Sequence, residues 1–193
     1  EFMYVTDVQY AGAKACSISG GNFMAISGTQ WARTADGKVI LDANGFPTQN
    51  TATVQVGNRE AKFTGGWNNT LTWKNWTFNM LWEFRVGGDV FNGTKYAMTM
   101  AGTSKWSGEF RNEPLTITGV QADGKDAAGN TIYKEVTNTW EPNKVYTFGG
   151  KETLGYNIIQ SYYTGAYNYE VANWLTSVNS LRLRTLSLSY SVP

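Results

Sequence analysis

The stretch "TWKNWTFNMLWEFRVGGDVFN", Thr72 to Asn92, decides how this chain is read. From Trp76 onward the large apolar residues fall at every second position: Trp76, Phe78, Met80, Trp82, Phe84 and Val86. Between them stand Thr77, Asn79, Leu81, Glu83 and Arg85. Side chains of a β-strand alternate between its two faces, so this pattern predicts a strand with one strongly apolar face. Upstream, "KFTGGWNNTLTW" places Trp67, Leu71 and Trp73 on one parity, with Asn69 an exception, and Asn68, Thr70 and Thr72 on the other. Lys74-Asn75 is all that separates the two runs, which predicts a tight hairpin of strands 63–73 and 76–86 with Trp73 opposite Trp76.

The last strand expected is 181–192, in "SLRLRTLSLSYSVP". Leu186, Leu188, Tyr190 and Val192 share one parity, whereas Leu181 and Leu183 fall on the other. A phase slip inside one strand predicts a bulge, or a change of environment, near Arg184-Thr185. Antiparallel pairing is expected between 63–73 and 76–86, and between 76–86 and 181–192.

The rest of the chain is less patterned. Residues 1–20 have weak periodicity, and Asn22–Trp31 has room for a short strand. Asp36-Gly37 is a favoured two-residue turn between arms 31–35 and 38–41. Asp42-Ala43-Asn44-Gly45 begins like a calcium loop but lacks the later ligands, so it reads as a plain turn. Residues 87–173 read as a long, mostly irregular connection with a hint of helix in Val90–Met100 and a turn-rich tip, "ADGKDAAGN". Compact soluble domains seldom contain so long an irregular connection. Long strands, one very short turn and one very long loop are the asymmetry of an outer-membrane β-barrel.

Composition narrows the function classes. The 193 residues carry a net charge of only +1, with 16% charged, which argues against a nucleic-acid surface. There is no histidine, so imidazole-based metal or catalytic sites are excluded, and Cys16 stands alone, so no internal disulfide forms. No apolar run reaches the roughly 18–20 residues of a membrane helix, but a barrel strand needs only about 9–11. The mean hydropathy of −0.36 suits a soluble protein or a barrel. The opening "EFMYVTDVQY" has no signal-peptide pattern. No carboxylate pair suggests glycosidase chemistry, and no Ser/His or Cys/His pair suggests a nucleophile, so an enzyme is not expected and no cofactor is implied. The Asn-x-Thr sequons at Asn68, Asn75 and Asn92 carry no meaning in a bacterial outer-membrane protein.

The run "DGKVILDANGFP…VGNREAKFTGGWNNTLTWKNWTFNMLWEFRVGGDVFNGTKYAM" and the closing "WLTSVNSLRLRTLSLSYSVP" resemble the C-terminal barrel region of SusC/RagA-type TonB-linked outer-membrane proteins. The match covers roughly residues 20–110 and 170–193, and the order and spacing of its pieces carry the resemblance. It implies an all-β fold: an antiparallel segment of a large plugged barrel of about 22 strands, with long extracellular loops near 1–62 and 87–173. It implies import of glycans or peptides with a SusD-like surface lipoprotein as lid. The plug and the TonB-contacting region of such a protein would lie upstream, and further strands downstream would complete the barrel. Partners are then the rest of the barrel, the lipoprotein, TonB, lipid and cargo.

In that frame Trp73, Trp76, Phe78, Met80, Trp82, Phe84, Leu186, Leu188 and Tyr190 are expected to face lipid. Asn79, Glu83 and Arg85 are expected to face the lumen, where contact with a plug or with neighbouring strands is the plainer role. Arg182 and Arg184 either meet lipopolysaccharide phosphates on the outside or are turned into the lumen by the bulge. Trp106, Arg111, Tyr162, Tyr163 and Tyr167 are candidates for ligand or lid contact, with loop self-packing as the ordinary alternative. A secreted, aromatic-rich β-sandwich that binds carbohydrate is the competing class. It requires Phe78, Trp82 and Phe84 to be buried under a second sheet of the same chain.

Overall fold

Three antiparallel strands of eleven residues dominate the computed structural model, which describes residues 1–4, 10–105, 108 and 111–193. Thirteen strands occur among the described residues: β1 Phe2–Tyr4, β2 Lys14–Ile18, β3 Ala25–Gly28, β4 Val54–Asn58, β5 Phe63–Trp73, β6 Trp76–Val86, β7 Asp89–Phe91, β8 Leu115–Lys125, β9 Thr131–Trp140, β10 Val145–Phe148, β11 Lys151–Leu154, β12 Leu175–Ser177 and β13 Ser180–Tyr190. With them come the α-helices α1 Gly93–Met100 and α2 Gly155–Thr164. The fold is mostly β, all named strand pairs are antiparallel, and no closed barrel forms among the described residues. No helix of the described residues is long and apolar enough to cross a membrane, which says nothing about a β-barrel.

The large sheet has the order β13-β6-β5, with the pairings read from the sequence. Trp73 stands opposite Trp76 across Lys74-Asn75. Lys74 takes up the tightness of this turn with φ 52°, a left-handed conformation unusual for a residue with a side chain. Its ammonium lies 5.1 Å from the Trp73 ring centre, and Ser191 N donates to Asn75 O at 2.8 Å, so β13 ends against the same turn. The register of β13 on β6 shifts between Leu183 and Thr185, which leaves Arg184 as the extra residue of a bulge. The bulge brings Leu181 and Leu183 opposite Phe84 and Trp82, and so onto the same face as Leu186, Leu188 and Tyr190. The phase slip in the sequence is therefore cancelled in the sheet.

Residues 87–173 are not the irregular connection expected from the sequence. β7 pairs with β12, β8 with β9 and β10 with β11, and α1 and α2 lie between them. Asn92 caps α1, its Oδ1 accepting from Lys95 N at 2.9 Å. On α2, Ile158, Ile159, Tyr162 and Tyr163 recur at helical spacing on one buried face. That face packs on Leu41, Phe46, Leu115, Ile117 and Trp140 to form the larger core. A smaller core joins Ala13, Ile26 and Val171. Residues 1–62 also contain more than the sequence suggests, since β1 to β4 form a sheet in chain order. The 31–41 hairpin is reduced to the bridge Arg33–Val39 and neighbouring hydrogen bonds. Asp42-Ala43-Asn44-Gly45 is a turn, with Asp42 Oδ1 accepting from Asn44 N and Phe46 N. A parallel bridge from Ile40 to Val120 ties this segment to β8, and Gly119 permits the approach: a Cβ there would lie 2.5 Å from Val39 O.

Candidate functional site

Residues directly opposite each other in a sheet share a face, so the register sorts β5, β6 and β13 into two surfaces. One surface carries Phe63, Trp67, Leu71 and Trp73 from β5, Trp76, Phe78, Met80, Trp82, Phe84 and Val86 from β6, and Leu181, Leu183, Leu186, Leu188 and Tyr190 from β13. Asn69 is its one long polar side chain. Phe63 and Phe84 stack at 5.4 Å, with Phe84 lying over Gly65, and Trp76 meets Tyr190 at 4.8 Å. No described residue covers this surface: Trp73 is 70% exposed, Leu186 61% and Leu188 64%. Phe78, Met80, Trp82 and Phe84 are half-buried, as flanked residues of a middle strand are, and none is in a core. All nine residues expected to face lipid lie on this one surface.

The opposite surface is polar. Its rows are Thr72, Thr77 and Ser189; Thr70, Asn79 and Ser187; Asn68, Leu81 and Thr185; Gly66, Glu83 and Arg182; and Thr64, Arg85 and Ser180. Asn79, Glu83 and Arg85 thus share a face, as read from the sequence. Asn79 Oδ1 is shielded and has no hydrogen-bond partner among the described residues. Arg184, the bulged residue, donates from Nε to Glu83 Oε2 at 2.5 Å. The bulge therefore turns Arg182 and Arg184 toward the polar side, away from the apolar one. Arg85 donates to Arg59 O at 2.9 Å and, more weakly, to Gly87 O at 3.4 Å. Together with Thr64 and Ser180 these charged residues line a trough of about 730 Å³.

The aromatic residues expected to touch ligand or lid divide differently. Tyr162 and Tyr163 are each only 7% exposed and belong to the larger core, with ring centres 5.1 Å apart. Tyr167 packs on both, on Trp31 and on Trp174, at 5.3–6.4 Å. Burial pushes the hydroxyls of all three above the ordinary tyrosine range. Self-packing within the loop region accounts for the burial of all three, and Tyr162 and Tyr163 present little ring surface to solvent. Arg111 reaches back to Gly102 O and, with Tyr163, borders a second cavity of about 300 Å³ beside the end of α1. Trp106 lies outside the described residues. The trough itself escaped sequence reading as a unit. Arg182 and Arg184 stand on the apolar parity of β13, and only the bulge brings them to Glu83.

A scan against protein-family models found no match to this chain, and a search of curated proteins found none either.

Proposed function

We propose that the chain forms part of the wall and the folded outer loops of a bacterial outer-membrane β-barrel, a SusC-like TonB-dependent transporter that imports glycans or peptides. The carrying observation is the β13-β6-β5 sheet, with one surface of large apolar side chains that no described residue covers and the other polar. In water such an apolar surface would be an aggregation or interaction site. Against acyl chains it is at rest, and the polar surface then lines the lumen. Trp73, Trp76 and Tyr190 cluster at the short turn, as residues of an interfacial aromatic girdle do. The outer edges of β5 and β13 are unpaired in the sheet, and lipid does not tolerate bare edges, so neighbouring strands must continue the wall on both sides. A SusD-like lipoprotein and TonB are the partners in this reading. A β-sandwich would instead bury the Trp76–Val86 face under a second sheet, and that face is open.

Tryptophan quenching by brominated phospholipid tests the reading, using protein reconstituted in vesicles. Quenching is expected, with a part of it lost in Trp82→Phe, since Trp67, Trp73 and Trp76 share the surface, and none in Trp174→Phe, whose indole is fully buried in the loop region. A protein that fractionates as soluble, or whose Trp82 is blind to brominated chains, would overturn the proposal. Transport is tested by uptake of labelled oligosaccharides and peptides in cells with and without the protein. A carrier of either gives protonophore-sensitive uptake that vanishes on deletion.

A further inference from the structure

We propose that the polar trough of the β13-β6-β5 sheet binds an acidic group of the transported cargo, a carboxylate or sulfate, so that the carrier selects anionic solutes. The inference rests on the barrel reading, because only there does this surface face the passage.

The trough brings three guanidinium groups, Arg85, Arg182 and Arg184, around a single carboxylate, Glu83. The formal surplus of two positive charges is local, since the whole chain carries only +1. Glu83 is already engaged by Arg184. Arg85 is fixed by the carbonyls of Arg59 and Gly87, which orient a guanidinium without neutralising it. Arg182 stands opposite Glu83 in register and makes no hydrogen bond among the described residues. Arg85 lies one row along the same face, in the diagonal relation to Arg182. Long side chains reach across such a diagonal, so both guanidinium groups are within reach of one anion. An anion between them would offset the local positive surplus and accept paired N–H bonds from the Arg182 fork. The Thr64 and Ser180 hydroxyls flank Arg85 in its row and would complete the donor set. A space of about 730 Å³ admits a disaccharide or a short peptide.

The test is calorimetric titration of the purified protein in detergent. The probes are digalacturonate and N-acetyl-Glu-Glu-amide, with maltose and N-acetyl-Gln-Gln-amide as neutral counterparts. At least one acidic probe is expected to bind about tenfold or more tightly than its neutral counterpart, and the tighter acid tells whether the group is sugar-borne or peptide-borne. Raising salt from roughly 20 to 200 mM should weaken that binding several-fold, as the screening length shortens. Arg182→Gln should weaken it about tenfold and Arg182→Lys less. Arg182 is the suitable position because no hydrogen bond of the fold depends on it. Equal binding of acidic and neutral probes, or acidic binding indifferent to Arg182→Gln, would sink the inference. Brominated-lipid quenching on the same preparation, reconstituted in vesicles, separates the failures. Intact quenching without acidic preference discards the trough alone, while absent quenching discards the barrel reading.

Discussion

Leu186→Arg is the substitution on which water and lipid disagree most. Leu186 sits mid-strand opposite Met80, 61% exposed and touching no core. In water an exposed leucine of this kind is replaceable within about 0.5 kcal/mol. Covered by acyl chains, it behaves as buried. Full burial of a leucine side chain stabilises by about 1.5–3 kcal/mol, and the 61% still open to solvent makes the lipid share about 1–2 kcal/mol. An arginine near the middle of the lipid face costs a further 2–4 kcal/mol or so. The expected loss is therefore about 3–6 kcal/mol, at least two orders of magnitude in the folding equilibrium at roughly 1.4 kcal/mol per tenfold. Ser187→Arg is the internal control, because Ser187 pairs with Asn79 on the polar surface. It should cost less than about 1 kcal/mol. The assay is guanidinium unfolding of the protein in phospholipid vesicles, followed by tryptophan fluorescence. If Leu186→Arg proves as mild as Ser187→Arg, the apolar surface does not meet lipid and the reasoning fails.

Three further outcomes are expected. Gly155→Ala places a Cβ 1.9 Å from Glu141 O, a backbone atom that cannot swing away, so thermal unfolding should show a loss of about 1–3 kcal/mol or more; an unchanged midpoint would mean that the start of α2 packs otherwise. Trp174→Phe removes a fully buried indole N–H with no partner among the described residues, so relief of the orphaned donor offsets lost packing and the change should stay within about 1 kcal/mol. Trp174→Ala should cost about 3–5 kcal/mol in the same thermal measurement. In alkaline titration at 295 nm, Tyr162, Tyr163 and Tyr167 should ionise after the exposed tyrosines. Their folded pKa values lie above the unfolded one, near 10, so their contribution is intact below about pH 10 and declines as pH rises beyond it. The late phase should coincide with loss of circular dichroism; a single early transition with the fold intact would contradict their burial.

The large sheet was legible because its information is local. Period-two alternation over eleven residues and a two-residue turn specify β5, β6 and their register with no knowledge of the rest. The bulge was legible for the same reason, as a phase slip between Leu183 and Leu186. Residues 87–173 were opaque because their strands are short or their partners distant: Asp89–Phe91 finds Leu175–Ser177. The arms of the β8–β9 hairpin are obscured by a register irregularity before its tip. The tyrosines were ambiguous for a physical reason. A tyrosine buries as much area as any core residue and also offers a hydroxyl, so Tyr162 and Tyr163 in a stretch read as loop resembled binding residues until α2 supplied their helical spacing.

The bulge at Arg184 also governs what length changes β13 withstands. Leu183 and Thr185 already face consecutive partners, Trp82 and Leu81. Deleting Arg184 would close the ladder with every remaining side chain on its present side, forfeiting only the ion pair with Glu83. Deleting Leu188 instead would force the residues beyond it to trade sides, sending Tyr190 to the polar surface and a serine to the apolar one, unless the ladder slid to use up its spare residue. Arg184 thus acts as slack in the strand, a place where a single codon can be lost without exchanging the two surfaces of the sheet.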